Sequence, residues 1–253
     1  MRDRMRNPLS DVIVLTDSNA QLPKGISFFD DYLDYYVNET LQIGGEAAIS
    51  LDPMGNRTGL YIYDPVERSG AVFTKEREVF DFFFGYRPHS TLFSEMKTDN
   101  RNEKYCIYSV DLKTHPPNRD FKYEVKVIEE DESEKIERYM IAMDPKMNRK
   151  WVRVAFANGD RCFTVELDDS IAGLGWLSLV HGVGRVHSLL VTPMFRGKGI
   201  GRDLLVARLM WLRAKRAMSA FSEIAELNLH SAAIARGEGM KLSGAIYQYF
   251  KKS

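Results

Sequence analysis

Cysteine is nearly missing from this chain: Cys106 and Cys162 are the only two in 253 residues, far apart and without CxxC or Cys/His ligand spacing. That gives no basis for a disulfide framework or a metal site, and a reducing cytoplasm is the expected compartment. Net charge is missing too, because Lys plus Arg and Asp plus Glu both total 35. Without a global field, nothing in the charge balance points to nucleic acid or an anionic membrane as a partner. Long apolar runs are also lacking. The longest tract, Ile171 to Val191, is broken by His181, Arg185, His187 and several glycines and fails as a membrane span. The N-terminus is basic at Arg2, Arg4 and Arg6, but Val12 to Leu15 is too short for the core of a signal peptide. No repeat of known period and no low-complexity tract appears.

What is present is an ordinary globular composition, 44% hydrophobic and 28% charged, in a chain long enough for two domains. Paired prolines in Thr114-His115-Pro116-Pro117-Asn118-Arg119-Asp120 mark the expected boundary, with residues 1–117 before it and 118–253 after. In the second part, alternation predicts a strand from Phe121 through Val127, and helices follow over Glu134–Met143 and Asn148–Ala157. Three antiparallel strands come next, Cys162–Leu167, Ile171–Val180 and Arg185–Val191, turning at Asp168-Asp169 and at His181 to Gly184. Helical spacing returns with Leu205, Leu209 and Leu212, before a short strand at Ala225–Leu227, a helix over Ser231–Arg236 and a last strand Gly244–Phe250. The first part reads less clearly, as strands at Glu46–Leu51, Gly59–Tyr63 and Ala71–Lys75 and a helix at Glu76–Phe84. Its order echoes the second part and permits a degenerate duplicate of one module. The expected class is α/β, with a mixed, mostly antiparallel sheet flanked by helices.

The segment Arg196-Gly197-Lys198-Gly199-Ile200-Gly201 lies between a strand and an apolar helix. A helix N-terminus presents unpaired N–H groups and the positive end of the helix dipole, which together bind anions. Glycines let a phosphate approach the backbone, and Arg196, Lys198 and Arg202 add cationic donors. The P-loop pattern fails because Gly199 follows Lys198, and the Rossmann pattern fails because Arg202 stands where its third glycine belongs. The bland alternative is a tight strand-to-helix turn.

Leu190 through Leu205, with Arg196, Gly199 and Gly201 meeting an R/Q-x-x-G-x-G/A motif, resembles the signature segment of the GCN5-related N-acetyltransferases, abbreviated GNAT. The element order from Phe121 to Phe250 is similar to that family's, so the resemblance covers about half the chain. It implies acetyl-CoA as co-substrate with no metal. The amides of Gly197, Lys198, Gly199, Ile200 and Gly201 would bind the pyrophosphate, and the backbone of Leu189, Leu190 and Val191 would pair with the pantetheine arm as an added strand. Asn228 and Ser231 would face the same ligand, although Asn228 is equally placed to cap a helix.

Two positions depart from the family: Arg185 stands where some members have a glutamate base, and Ala235 where a tyrosine acid is usual. His187, two residues on and on the same strand face, is the leading base candidate, set against a role as a satisfied buried histidine. Glu166 is the second, set against a solvated turn residue. His181 ranks lower, in a hairpin loop. Tyr247 and Tyr249 are candidate acids that otherwise fill the core. The aromatic run Phe80, Phe82, Phe83, Phe84 and Tyr86 reads first as core, and the acidic run Glu129 to Glu134 as a solvated helix start. The resemblance thus implies transfer of an acyl group to a primary amine of a small molecule or peptide, with a non-catalytic acyl-CoA binding protein or a plain interaction module as alternatives.

Overall fold

The computed structural model describes residues 11–15, 30–65, 68–86, 91–98, 103–115, 117 and 120–250. Arg2, Arg4 and Arg6, and the boundary residues Pro116, Asn118 and Arg119, lie outside the described residues. In chain order the elements are β1 (Asp11–Leu15), α1 (Asp30–Gln42), β2 (Glu46–Leu51), β3 (Arg57–Asp64), β4 (Ser69–Thr74), α2 (Arg77–Tyr86), β5 (Thr91–Ser94), β6 (Glu103–Asp111), β7 (Lys126–Ile128), α3 (Ser133–Met143), α4 (Trp151–Ala157), β8 (Arg161–Leu167), β9 (Ser170–Val180), β10 (Val183–Val191), α5 (Ile200–Ala214), β11 (Ser219–Ala225), α6 (Leu229–Gly237) and β12 (Lys241–Phe250). Packing divides the chain into two compact units, Met1–Ile107 with Ser243–Ser253, and Tyr108–Leu242.

In the first unit the strands follow the order β1-β2-β3-β4-β5-β12. Consecutive strands from β1 to β4 pair antiparallel, β4 pairs parallel with β5 across α2, and β12 pairs antiparallel with β5. The apolar period of α2 turns Val79, Phe80 and Phe83 onto this sheet, where Phe83 stacks on Tyr61 at 5.0 Å. The aromatic run is therefore core.

In the second unit the order is β6-β11-β10-β9-β8-β7. Strands β8, β9 and β10 pair antiparallel as expected, through two-residue hairpins. Asp168 and Asp169 lie at φ +50° and +58°, and His181 and Gly182 at +48° and +81°, the positive pair that suits the twist of a two-residue hairpin. Strand β11 then runs parallel to β10, reached across α5, whose Ile200, Leu204, Leu205, Leu209 and Leu212 are buried. Among the described residues the two units thus share one plan: a strand, one helix in the first unit and two in the second, three antiparallel strands, a helix, and a strand parallel to the third. This is an α/β fold with a mostly antiparallel sheet flanked by helices. No helix among the described residues is long and apolar enough to cross a membrane.

Two expectations need correction. The strand after β10 occupies Ser219–Ala225, not Ala225–Leu227, because Glu226 to Asn228 form the turn into α6. The strand expected from Phe121 shortens to Lys126–Ile128, because the N–H groups of Lys122 and Tyr123 both donate to the Asp203 carboxylate at 2.8 Å instead of to a neighbouring strand. Elements β1, α1, β5 and β6 have no counterpart among the sequence expectations.

Candidate functional site

Strands β10 and β11 separate soon after they meet. Their parallel pairing covers Val183, Gly184 and Arg185 against Ser219, Ala220 and Phe221, and no further. On its other edge β10 stays with β9 to Val191, but its register shifts between His187 and Leu190. One extra residue is accommodated there as a β-bulge, and Ser188 takes a left-handed φ of +49°. Beyond Arg185 the β10 edge that faces β11 therefore has no strand partner among the described residues. It is an edge on which an extended ligand can pair.

The chain leaves this edge into the glycine segment. A 3-10 turn over Pro193–Phe195 is followed by Gly197 at φ +75° and Gly199 at φ +98°, a conformation that L side chains rarely adopt. Helix α5 starts immediately, with Gly199 as N-cap and no side-chain cap. Its first backbone bond runs from the Asp203 N–H to Gly199 O at 3.1 Å, so the amides from Gly197 to Arg202 have no backbone acceptor among the described residues. Gly201 serves packing instead: a Cβ there would lie 3.1 Å from Ile234 Cδ1. Lys198 is exposed with its ammonium over the Phe195 ring, and Arg196 turns back so that its Nε donates to Val191 O at 3.1 Å. Lys122 adds a cation that the sequence reading missed, its Nζ donating to Lys198 O at 3.3 Å. Arg202 does not join this set. It is paired with the buried Glu238 at 2.7 Å and also donates to Asp120 O, so its charge is already matched.

A splayed strand edge that leads into amides without backbone acceptors is suited to an elongated anionic ligand. The model of the Acetyltransferase (GNAT) family matches residues 124–239. This segment is a GNAT domain. Similar solved structures are a GCN5-related N-acetyltransferase from Sphaerobacter thermophilus (12% identity, TM-score 0.59, covering 81% of this chain and 80% of that one) and a tandem GNAT protein from the clavulanic acid biosynthesis pathway (13%, 0.55, 87% and 89%). A GNAT-family acetyltransferase from Colwellia psychrerythraea covers 95% of this chain and 100% of its own at 10% identity and TM-score 0.56. At these identities the likeness is one of fold. No curated protein sequence matches the chain.

The other candidates fall in different places. Asn228 caps α6, its Oδ1 accepting from the Ser231 N–H at 3.2 Å, so one expected ligand group is used by the helix. Ser231 is half-buried at the start of that helix. Glu166 forms a close ion pair with Lys135 and a second at 3.5 Å with Lys126, and the Lys135 hydrogen bond holds its carboxyl below the usual range. That is a structural ion pair and a poor proton acceptor at neutral pH. Arg185 pairs with Glu223 of β11 at 2.9 Å. Tyr247 and Tyr249 lie in the other unit, where the Tyr249 hydroxyl donates to Met96 O and accepts from the Thr98 N–H, so this phenol is committed to that core.

His187 is almost fully enclosed, its side chain 10% exposed, with Trp151 edge-on at 6.1 Å. Direct contact with an acceptor amine does not fit that burial. Desolvation lowers its pKa below the ordinary histidine value, aided by the charges of Arg185 and Arg208 and opposed by Asp160. A depressed folded pKa means that the unfolded chain binds more protons below pH 6.5, so stability is lost as pH falls from that value towards the folded pKa. Wild-type urea midpoints between pH 7 and pH 5 should therefore fall by an increment that His187→Gln lacks, and parallel curves would show that His187 does not titrate this way.

The sequence reading also missed Tyr139, whose hydroxyl lies 3.0 Å from Thr192 Oγ1, and Arg208, a fully buried guanidinium on α5. Arg208 donates to Leu204 O, to Trp176 O at 2.8 Å and to His187 O at 3.0 Å, so it ties the helix to the bulge.

Proposed function

We propose that the chain transfers an acyl group from acyl-CoA to a primary amine of a small molecule or peptide, through a ternary complex. The observation that carries this reading is the continuity of the unpaired β10 edge, from Val186 to Val191, with the free amides of Gly197 to Arg202. Pantetheine amides would pair with the backbone of Leu189, Leu190 and Val191. The pyrophosphate would sit against the amides of Gly197, Lys198, Gly199, Ile200 and Gly201, with Arg196, Lys198 and Lys122 as cations. The thioester would then lie near the bulge, where an N–H of β10 can stabilise the oxyanion that forms as the amine attacks.

Acyl-CoA binding is assigned to the second unit alone. In the first unit the corresponding passage from β4 to α2 is Thr74-Lys75-Glu76-Arg77, with no glycine. There the Thr74 hydroxyl accepts the Glu76 N–H at 3.0 Å, and Glu78 lies in the first turn of α2. A carboxylate at that helix start repels a phosphate, so acyl-CoA binding is not proposed for this unit.

Acetyl-CoA at ~100 times its dissociation constant should raise unfolding stability by roughly 2.7 kcal/mol. No thermal shift at millimolar acetyl-CoA would remove the assignment. A second reading, a non-catalytic acyl-CoA binding protein, is favoured by the Arg185–Glu223 pair and by the buried Ala235 at the positions where the family carries its base and acid. Confirmed binding without thiol release across a panel of amines, peptides and aminoglycosides would select it.

A further inference from the structure

The bulge that opens the β10 edge also brings three polar side chains together, Asp160, His187 and Ser188. Helix α4 ends at Ala157, and Gly159 at φ +88° reverses the backbone, so that the Asp160 N–H donates to Ala155 O at 2.9 Å. This closure pins Asp160 with its Oδ2 3.6 Å from His187 Nε2. On the other side of the ring, His187 Nδ1 lies 3.2 Å from Ser188 Oγ. Ser178 Oγ approaches Nε2 at 3.5 Å, the Trp151 indole stands edge-on to the ring, and the charges of Arg185 and Arg208 act on it. A carboxylate oxygen that faces Nε2 at 3.6 Å favours, by electrostatic attraction, the tautomer with the proton on Nε2. Nδ1 is then left as acceptor for the Ser188 O–H. A serine backed by an imidazole, itself oriented by a carboxylate, is the arrangement that activates a hydroxyl, whatever the fold and residue order. Ser188 further resembles activated serines in its strained left-handed backbone at a sharp break in a strand.

We propose that Ser188, backed by His187 and Asp160, is the proton relay of the acyl-transfer site. This rests on the acyl-transfer reading above and supplies the base that the enclosed His187 cannot provide by direct contact. As the acceptor nitrogen bonds to the thioester carbonyl carbon, Ser188 Oγ takes the N–H proton while its own proton passes to His187 Nδ1. The imidazolium so formed faces the Asp160 carboxylate. When the C–S bond breaks, the proton returns through Ser188 to the departing thiolate, which leaves the serine hydroxyl and the neutral imidazole as they began. Ser188 is the catalytic group; His187 and Asp160 act through it as positioning residues.

The test does not need the natural acceptor. Wild-type protein is incubated with a fluorophosphonate, which forms an adduct on activated serine hydroxyls, and adduct sites are located by peptide mass spectrometry. Ser188 should label at least ~10-fold faster than any other serine, with a rate that falls ~10-fold or more in His187→Gln and in Asp160→Asn, as loss of a positioned base requires. The rate should also decline with falling pH as His187 becomes protonated. Because His187→Gln removes a buried group, the wild-type protein gives a second readout: nitrogen NMR of His187 should show the proton on Nε2 and a free Nδ1. Absence of a Ser188 adduct, an unchanged rate in His187→Gln, or a proton on Nδ1 overturns the relay. Thermal shift with acetyl-CoA on the same sample reports the acyl-CoA reading separately, so the two failures are distinguishable.

Discussion

Gly199→Glu is expected to abolish stabilisation by acetyl-CoA while leaving a folded protein. A Cβ at Gly199 would have Lys122 Cδ as its nearest neighbour, 4.0 Å away, so a side chain enters open space over the loop and displaces no core atom. The φ of +98° makes any side chain strained, at a cost of about 1–2 kcal/mol. The carboxylate then sits among the amides of Gly197 to Arg202, where it acts as a tethered anion and repels a pyrophosphate. A loss of ~100-fold or more in affinity corresponds to about 2.7 kcal/mol. Gly199→Ala separates the two effects, because it carries the strain without the charge and should lose much less. Calorimetric titration of the three proteins with acetyl-CoA decides the matter: a Glu variant that binds within about threefold of wild type would show that the loop is only a turn, as would Glu and Ala variants with equal losses.

The glycine loop was legible in the sequence because all of its parts are local. Strand, glycines and helix start lie within Leu189 to Arg202, and the backbone bonds that leave its amides free follow from helix geometry. The three antiparallel strands were legible for the same reason, since alternation and the Asp168-Asp169 and His181-Gly182 turns are short-range signals. What escaped depends on partners far along the chain. The strand expected at Phe121 fails because Asp203 captures two of its amides, and the Arg202 guanidinium is taken up by an ion pair with Glu238. Strand β11 was placed late because the polar Ser222 and Glu223 interrupt its alternation, whereas in the fold Glu223 is matched by Arg185 of another strand. The role of His187 changed for a similar reason. Its place on the strand is a local signal, but its enclosure comes from Trp151 of α4 and its carboxylate neighbour is Asp160 after that helix. Nothing in residues 183–191 alone announces the bulge.

The bulge itself is held by Arg208, and Arg208→Ala is expected to be the most destabilising single change in the second unit. Its guanidinium is buried, and desolvation draws its pKa down to about 9, which still leaves it charged at neutral pH. Charge-assisted bonds to Trp176 O and His187 O satisfy carbonyls on the two strands flanking the register shift. Truncation leaves those acceptors buried without a donor and opens a cavity over the sheet, while relief of the guanidinium's desolvation offsets part of the loss. A net destabilisation of about 2–4 kcal/mol is expected by urea unfolding, with turnover reduced because the open β10 edge loses its anchor. Lysine should not rescue it, since a single ammonium cannot reproduce the planar fork that reaches helix and sheet together. Gly175 provides the decisive control. A Cβ there would stand 2.8 Å from Arg208 Cζ, so Gly175→Ala forces the guanidinium aside in wild type but meets only the vacated space in Arg208→Ala. The pair should therefore be non-additive by about 1–2 kcal/mol, with Gly175→Ala costing far less in the Arg208→Ala background. Additive losses would mean that Arg208 and the strand beneath it act independently, and the account of the bulge as an arginine-anchored feature would fall.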